Sequence, residues 1–303
     1  MIMKIAITGG TGFVGNVLSK ELLKHGHELF ILTRNPDKQS AHENITFIGW
    51  MTEGATPETH LDGIDAFINL AGESINSGRW TEERKRRILA SRIEATQEAL
   101  RIIRNLENKP ASFINASAIG IYPSSVSSTY TEASTEQSED FLGQTVQIWE
   151  REAARARELG LRVAFMRFGI VLGKGGGALP KMAIPYKLFA GGPVGSGEQW
   201  MSWIHIQDIA KGISYTLQHE DIEGPVNLTA PHPLQMNEFG KVLGEVLGRP
   251  HWLPVPSLAL KAAMGDMSTL VLDGQKVIPE VLLNHGFEFE YPDLKEALQA
   301  IYK

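Results

Sequence analysis

The 303-residue chain contains no cysteine, which excludes disulfide bonds, thiolate metal ligands and a cysteine nucleophile. It also lacks an apolar run of about 18 residues, the length that a membrane-spanning helix needs. Its net charge of −6 leaves it without the basic surface on which nonspecific binding of nucleic acid depends. The nine histidines are scattered without metal-ligand spacing, so we expect no bound metal.

The residues that are present are typical of a globular protein, with 43% apolar and 21% charged side chains. Met1–Lys4 lead directly into the first predicted strand, which leaves no room for a signal peptide. We therefore expect a cytoplasmic protein that binds a small-molecule substrate and has neither nucleic acid nor membrane as a partner. A homodimer is expected only because two-fold dimers are the commonest oligomers.

The segment Thr8–Gly15 joins an apolar, β-rich run to a segment with helical periodicity. In such a turn Gly9 or Gly10 permits the tight bend, and Gly12 lets the backbone approach a pyrophosphate. A final glycine lets the helix press on the strand. The helix directs its free N–H groups and the positive end of its dipole at the phosphates. We predict a dinucleotide site whose contacts come from Gly9, Thr11, Gly12, Phe13, Val14 and Gly15.

The type of dinucleotide is indicated by the end of the second predicted strand, Glu28–Thr33. In an NAD site an acidic residue about 20 positions after the glycines accepts hydrogen bonds from the ribose hydroxyls. Here that position holds Arg34, between a threonine and an asparagine. Because a guanidinium pairs with a phosphate, we predict that Arg34 binds the 2′-phosphate and that NADP (NADPH) is preferred over NAD. A solvated arginine at a strand end is the alternative.

Predicted strands and helices alternate along the first part of the chain, which indicates a parallel sheet with helices on both faces. We expect an α/β fold: a Rossmann doubly wound parallel sheet with a smaller, mixed C-terminal substrate domain. Residues 1–170 are predicted to form the NADP-binding domain, to which residues 204–230 return. Residues 171–203 and 231–303 are predicted to form the smaller domain.

A second part of the predicted cofactor site follows from the buried strand at 66–72, which ends in small residues. Such residues suit a wall where the nicotinamide half of a dinucleotide lies close to the backbone. The wall residues are Leu70, Ala71 and Gly72. Glu73 follows at the carboxyl edge of the strand, where ligands of such sheets bind.

Bulky or cationic side chains in loops near the same edge are candidates for substrate binding, because indole rings stack on sugars and bases. The candidates are Arg79, Trp80, Trp200 and Trp203. Core packing is the alternative for each tryptophan. Arg167 ends the sixth predicted strand at this edge, and we predict that it binds a phosphate of the cofactor or the substrate.

Taken together, these motifs resemble the extended and atypical short-chain dehydrogenase/reductases, which include NAD(P)-dependent sugar-nucleotide epimerases and dehydratases. The resemblance is carried by Thr8–Gly15, Asn69–Gly72, Asn115–Ala118, Arg167–Gly173 and Trp203–Asp208. Shorter segments are similar to an atypical branch known as epimerase family proteins, which has a distinct C-terminal segment and no settled substrate. Those segments are Leu70–Glu73, Arg79–Trp80, Phe141–Glu150 and Gly286–Phe289.

The chain departs from this family at its proton donor. The resemblance implies a Tyr-x-x-x-Lys pair on the helix after the fifth strand, where the lysine lowers the pKa of the tyrosine. Alignment on Trp149 and Glu150 places Leu142 and Val146 at those two positions. Elsewhere the motif occurs only at 291–295, at the head of the last predicted helix, and we expect no catalytic role for it.

Four residues remain as catalytic candidates: Ser117, Tyr122, Glu73 and Arg92. Ser117 matches the family's serine that hydrogen-bonds the reacting oxygen, although a register shifted by one would place Ala118 there. Arg92 replaces the family's asparagine and would bind an anionic group or stabilise an oxyanion, with a plain helix-surface role as the alternative. We predict that Ser117 and Arg92 also contact the cofactor. Tyr122 and Glu73 are predicted to face the cleft as proton donor or acceptor, whereas Glu150 either shares that role or pairs with a nearby arginine.

The sequence therefore predicts an NADP-dependent oxidoreductase or epimerase-like protein that acts on a small polar substrate, with a sugar nucleotide as one candidate. The nicotinamide supplies the hydride chemistry and the protein positions it. Because the usual tyrosine and lysine are missing, the alternative is an NADP(H)-binding redox sensor or scaffold without turnover.

Overall fold

A parallel sheet of seven strands forms the centre of the computed structural model, which describes residues 2–39 and 42–303. The strands are β1 (Lys4–Thr8), β2 (Glu28–Thr33), β3 (Ile45–Gly49), β4 (Ala66–Asn69), β5 (Ser112–Ala118), β6 (Thr129–Tyr130), β7 (Arg162–Phe168), β8 (Ile170–Leu172), β9 (Trp200–Met201), β10 (Trp203–His205), β11 (Gly224–Leu228), β12 (Leu234–Gln235) and β13 (Lys276–Val277). The helices are α1 (Phe13–Lys24), α2 (Glu82–Arg104), α3 (Phe141–Ala154), α4 (Leu179–Lys187), α5 (Ile206–Gln218), α6 (Met236–Leu247), α7 (Ser257–Met264), α8 (Thr269–Leu272), α9 (Glu280–Asn284) and α10 (Leu294–Tyr302).

The order of the strands in the main sheet is β3-β2-β1-β4-β5-β7-β11, and every neighbouring pair is parallel. The chain starts in the middle at β1, moves outward to β3, and then crosses to β4 and the other half. Ligands of open α/β sheets bind at the carboxyl ends of the strands beside such a reversal. The predicted Rossmann fold is confirmed.

Helices cover both faces of the sheet because successive side chains of a strand point to opposite faces. Ile5 and Ile7 of β1 pack with Leu18 of α1 in one buried cluster, which also includes apolar residues of α5. Ala6, between them, belongs to a second cluster with Ile103 of α2 on the other face. Strands that are buried on both faces in this way are read as continuous apolar runs.

A smaller region beyond the main sheet contains three two-stranded pairings, of which β9–β12 is antiparallel and β8–β10 and β6–β13 are parallel. Its core lies between α4, α6 and α10 and includes Leu179, Phe239 and Leu298. Within residues 2–39 and 42–303, no helix combines the length and the apolarity needed to cross a membrane.

Two boundaries differ from the sequence-based expectation. The strand expected over 66–72 ends at Asn69, which still pairs with Thr8 and Asn115 in the ladder and whose side-chain amide hydrogen-bonds to the side chains of the same two residues. The periodicity predicts a helix over 209–217, whereas α5 begins at Ile206. His205 caps it by accepting a hydrogen bond from the Gln207 N–H through Nδ1 at 3.3 Å.

Candidate functional site

The glycines after β1 are required by close approaches between backbone segments. Gly9 has a φ of 69°, and a Cβ at this position would lie 2.8 Å from the carbonyl carbon of Leu70. The Gly12 N–H donates to the Gly9 carbonyl at 3.0 Å and closes the turn. At Gly15 a Cβ would lie 2.6 Å from the Cα of Gly10, so only glycine lets α1 approach the turn this closely.

The start of α1 has the properties of an anion site. Gly12 precedes the helix with a φ of −81°, no side chain caps the helix, and its first turn carries no acidic residue. A Cβ added to Gly12 would meet the Gly9 carbonyl oxygen at 3.1 Å and otherwise open space. The free N–H groups and the helix dipole therefore face a space that fits the pyrophosphate of a dinucleotide.

Arg34 lies at the same edge of the sheet as this turn. It directly follows β2, in which Leu32 pairs in parallel register with Thr8 of β1. Its side chain is exposed, which leaves the guanidinium accessible to a ligand bound along the turn.

Buried polar side chains tie the strand ends together beneath the turn. Thr8 Oγ1 donates to Asn69 Oδ1 at 2.6 Å, and Asn69 Nδ2 donates to Asn115 Oδ1 at 2.7 Å. Asn69 also donates to Thr96 Oγ1, which accepts another hydrogen bond from Trp149 Nε1. The network joins three strands to α2 and α3 at the reversal of strand order. Thr96 was missed in the sequence because a threonine within a long helix carries no motif.

A cavity of about 800 Å³ begins beside the start of α1 and extends over the strand ends toward α4, α6 and α7. The predicted site residues that line it are Phe13, Leu70, Ala71, Gly72, Arg92, Ser117 and Trp200. The other predicted site residues lie outside its wall, both those of the turn and β2 (Gly9, Thr11, Gly12, Val14, Gly15 and Arg34) and the candidates Glu73, Arg79, Trp80, Tyr122, Arg167 and Trp203. The structure thus assembles the cofactor wall with Ser117 and Arg92 and separates the remaining catalytic candidates from it.

The wall also contains the positions at which the resemblance implies a tyrosine and a lysine. Leu142 and Val146 of α3 both line the cavity together with Ser117 of β5. Neither side chain can carry a proton. Ala118, the other candidate for the family's serine position, also lines the cavity but has no hydroxyl.

Arg92 is held on the cavity wall by the backbone of two segments. Its Nη1 donates to the carbonyl oxygens of Ile88 at 2.8 Å and Glu73 at 3.2 Å, and its guanidinium carbon lies 5.1 Å from the centre of the Trp149 ring. Burial lowers the pKa of Arg92 to about 10, so it remains a cation at neutral pH. Within the described part of the chain, Nη1 is the one nitrogen of the Arg92 guanidinium that makes hydrogen bonds, so Nε and Nη2 can donate to a ligand.

Ser117 is connected to a buried ion pair behind the wall. Its hydroxyl donates to Glu150 Oε1 at 2.5 Å. Arg167 binds the same carboxylate in a bidentate manner, with Nε on Oε1 and Nη2 on Oε2, each at 2.8 Å. Such a fork fixes the carboxylate, and through it the orientation of the serine hydroxyl. The sequence analysis offered pairing with a nearby arginine as one of two roles for Glu150, and the structure shows that pairing with Arg167.

Tyr122 and Arg167 do not have the positions expected of them. Tyr122 is 1% exposed, and its hydroxyl donates to Asn227 Oδ1 at 2.9 Å and accepts from Arg167 Nη1 at 2.8 Å. Burial raises the pKa of Tyr122 although the cation of Arg167 opposes this shift. Neither side chain lines the cavity, and Tyr122 packs with Tyr130 of β6 and Val277 of β13. The structure therefore does not bring Tyr122 or Arg167 to the cavity wall, where the sequence analysis expected them.

Glu73 also fails to face the cavity. Its carboxylate binds the guanidinium groups of Arg84 and Arg87 of α2. Burial acts to raise the pKa of Glu73, but the hydrogen bonds from Arg87 and Arg84 outweigh it and hold the pKa below the usual range. Glu73 is therefore held as a carboxylate by α2, and it does not line the cavity.

Three of the four substrate-binding candidates lie elsewhere in the structure. Trp203 is fully buried in the core of the smaller region, where its Nε1 donates to the His232 carbonyl. Trp80 packs edge-on against Phe141 at 5.3 Å, and Arg79 Nη2 donates to a carbonyl of α7. For Trp80 and Trp203 the structure agrees with the alternative of core packing, whereas Trp200 lines the cavity.

The Tyr-x-x-x-Lys sequence at 291–295 attaches the C-terminal segment to α5 and α6. The Tyr291 N–H donates to the buried Asp208 carboxylate at 3.0 Å, and Lys295 pairs with Glu245 at 2.6 Å. His205 packs on the Tyr291 ring with a centroid distance of 4.0 Å, and burial lowers the pKa of His205 to about 4. None of these side chains lines the cavity.

Comparison with sequence families gives two matches. The model of the NAD dependent epimerase/dehydratase family matches residues 5–228, and a domain of unknown function, DUF1731, matches residues 255–301. An epimerase family protein of Bacillus subtilis, YfhF, is 48% identical over 299 residues, which are 99% of this chain and 98% of the relative.

Comparison with solved structures agrees with these matches. The human epimerase family protein SDR39U1, solved with NADPH, is 32% identical with a TM-score of 0.85 and covers 99% of both chains. The UDP-glucose 4-epimerase of Thermus thermophilus, solved with NAD, has a TM-score of 0.77 and covers 99% of this chain and 97% of its own. It is 16% identical and shows the shared fold alone.

Proposed function

The chain belongs to the NAD-dependent epimerase/dehydratase family, and on that premise we propose that it binds NADP(H) and transfers hydride between the nicotinamide and a small molecule. The resemblance noted in the sequence is confirmed at the level of the family. The observation that carries the proposal is the glycine turn at the reversal of strand order, directly followed by Phe13, which lines a cavity together with Ser117 and Arg92.

The cofactor would be held by three groups of residues. Gly9–Gly15 would bind the pyrophosphate, Leu70–Gly72 would pack against the nicotinamide half, and Arg34 would bind the 2′-phosphate of NADP. The human structural neighbour contains NADPH and the Thermus neighbour contains NAD. The comparisons thus support a nicotinamide cofactor, and the preference for NADP depends on Arg34.

The bound nicotinamide would supply or accept the hydride, and the proton would move through Ser117. When a substrate hydroxyl is oxidised, Ser117 Oγ accepts its proton and passes its own to Glu150 Oε1, to which it already donates at 2.5 Å. In reduction the two transfers would run in reverse, and the proton consumed would enter from water at Glu150. Arg92, with two free donors on the cavity wall, would stabilise negative charge on the substrate oxygen.

A second candidate function is an NADP(H)-dependent sensor without turnover. It is favoured by Leu142 and Val146, which put apolar side chains where the family's proton donor and its lysine are expected. The two functions share the cofactor site and differ in whether any substrate is converted.

We expect Arg34→Asp to weaken NADPH binding on the order of 100-fold and NADH binding by less than about threefold. The change removes a charge-assisted pair with the 2′-phosphate and adds a like charge, together about 2.7 kcal/mol. NADPH fluorescence titration measures the affinity, and the rise in melting temperature with cofactor provides an independent reading.

Lys20→Asp is the matched control, because it makes the same change of charge at an exposed position within α1. Equal losses for NADPH and NADH in Arg34→Asp would show that Arg34 does not bind the 2′-phosphate. Absence of any NADPH effect on wild-type fluorescence and melting would refute both candidate functions.

Ser117→Ala should lower kcat for NADPH-dependent reduction by a factor on the order of 10² to 10⁴, the usual contribution of general acid–base assistance. NADPH affinity should stay within about twofold, because the hydroxyl already bonds to Glu150. The assay follows NADPH absorbance with a panel of aldehydes, ketones and UDP-sugars.

Ser112→Ala removes a buried hydroxyl from the opposite end of β5 and should leave kcat unchanged. A Ser117→Ala variant with wild-type kcat would exclude the proton route through Ser117. Firm NADPH binding by a wild-type protein that converts nothing in the panel would favour the sensor.

A further inference from the structure

The part of the cavity that lies beyond Leu70–Gly72 is mainly apolar, with Asp140, Asp273 and Gln275 among its polar lining residues. It is enclosed by α4, α6 and α7 and by the segment around α8. Its wall includes Met182, Met236, Phe239, Leu243, Leu260 and Met264. We refer to this part of the cavity as the distal chamber.

The hydroxyl groups around the chamber are already used by the protein. Ser124 Oγ donates to the Gly274 carbonyl at 3.2 Å and accepts from the Gly274 N–H at 3.0 Å. Ser202 Oγ donates to the Gln275 carbonyl at 2.7 Å and accepts from the Val277 N–H at 2.9 Å. These serines hold the segment between α8 and β13 in place, and their hydroxyls have little hydrogen-bonding capacity left for a bound sugar.

The tyrosine in the wall is used in the same way. Tyr186 OH bonds to His251 Nδ1 at 2.8 Å, and the two rings stack with a centroid distance of 5.9 Å. Burial raises the pKa of Tyr186 to about 12, so it stays neutral. It contributes a ring face and edge to the chamber.

The cavity wall carries two cationic side chains, Arg92 and Lys181. Arg92 stands on α2 at the nicotinamide side, and Lys181 Nζ donates to the main-chain carbonyl of Asn76 across the cavity. A diphosphate in the distal chamber would therefore lose its hydration without a cluster of arginines to replace it, which is strongly unfavourable. The chamber is suited to an uncharged, apolar group.

We propose that the substrate is a small, mainly apolar carbonyl compound or the corresponding alcohol, with its oxygen at Ser117 and its apolar body in the distal chamber. This inference rests on the proposed function and differs from the polar substrate that the sequence led us to expect. In reduction the carbonyl carbon gains a hydride from NADPH and the C–O π bond breaks. The oxygen takes the hydroxyl proton of Ser117, a proton from water replaces it by way of Glu150, and the products are the alcohol and NADP⁺.

The test uses straight-chain 2-ketones from four to nine carbons, with UDP-glucose as the polar comparison. On the NADPH-loaded protein kcat/KM should rise about fourfold for each added methylene until the chamber is filled, as expected for burial of a methylene group. Binding of the same ketones to the NADP⁺-loaded protein, measured by calorimetry, should show the same trend. UDP-glucose should neither bind nor react.

Leu260→Gln tests the chamber directly, with Leu258→Gln on the same helix as its control, because Leu258 is 78% exposed. Leu260→Gln should lower the affinity for the longest ketone about tenfold and flatten the dependence of affinity on chain length, while its NADPH affinity stays at the wild-type value. Leu258→Gln should bind both the ketones and NADPH as the wild type does. Binding of UDP-glucose, or ketone affinities that are absent or independent of length, would overturn the inference while NADPH binding still supports the proposed function. Loss of NADPH binding in the wild type would instead refute the proposed function itself.

Discussion

Gly12→Ala should weaken NADPH binding on the order of 100-fold while the unliganded protein melts within about 2 °C of the wild type. The φ of −81° at Gly12 suits alanine, and the added Cβ would have open space around it except for the Gly9 carbonyl at 3.1 Å. That open space is where we place the pyrophosphate. The methyl group would hold the phosphates away from the N–H groups of α1, and the loss of two charge-assisted hydrogen bonds costs about 3 kcal/mol.

Two neighbouring substitutions make this expectation specific. Gly15→Ala should reduce both stability and NADPH affinity, because its Cβ would meet backbone atoms of Gly9 and Gly10. Gly49→Ala, whose Cβ would lie 3.8 Å from Pro36, should change neither. Fluorescence titration and thermal unfolding measure the two quantities separately. Wild-type NADPH affinity in Gly12→Ala would exclude a pyrophosphate at this turn.

Arg167→Met should lower the free energy of unfolding by about 3–5 kcal/mol. The substitution leaves the carboxylate of Glu150 buried without its bidentate partner, and it removes a donor from Tyr122. Breaking a buried ion pair on one side is costly because the remaining charge has lost its hydration and has no counterion. Urea unfolding monitored by circular dichroism gives the difference.

The double substitution Arg167→Met with Glu150→Leu should recover most of that loss, since replacing a whole buried pair by apolar side chains is close to neutral. Arg155→Met is a matched control, because Arg155 pairs with Glu152 at the surface at 2.7 Å. This substitution should lower the free energy of unfolding by less than about 1 kcal/mol. If the single variant Arg167→Met were as stable as Arg155→Met, the ion pair between Arg167 and Glu150 would not stabilise the fold.

The geometry of the glycine turn was predictable from the sequence because it is local. The turn at Gly9–Gly15 needs only a strand, a tight bend and a helix in succession, and each of these has a pattern that a short segment reveals. Arg34 was predictable because the end of β2 lies next to the end of β1 in every sheet of this order. The loss of the usual proton donor was also visible, since Leu142 and Val146 stand one helical turn apart on α3.

The direction of a side chain at the end of a strand was not predictable in this way. Tyr122 follows β5 at the edge where ligands bind, yet the strand pair β6–β13 covers it and turns its hydroxyl to Asn227. Trp203 lies in a segment next to the cavity, yet it enters the core. Which of two faces is buried depends on segments that lie 100 or more residues away, as the bond from Tyr122 to Asn227 shows.

The sequence by itself determined the parallel sheet, the dinucleotide turn, the residue expected to choose NADP, and the absence of a tyrosine and lysine on α3, because each depends on neighbours within about 30 residues. Tertiary structure alone decided that Ser117 rests on Glu150 and Arg167 and that Glu73 is held by arginines. It also decided that the distal chamber is apolar, since α4, α6 and α7 meet there from separate parts of the chain. The physical reason is that burial and hydrogen-bond partners are properties of packing, and packing brings together residues whose separation along the chain carries no pattern.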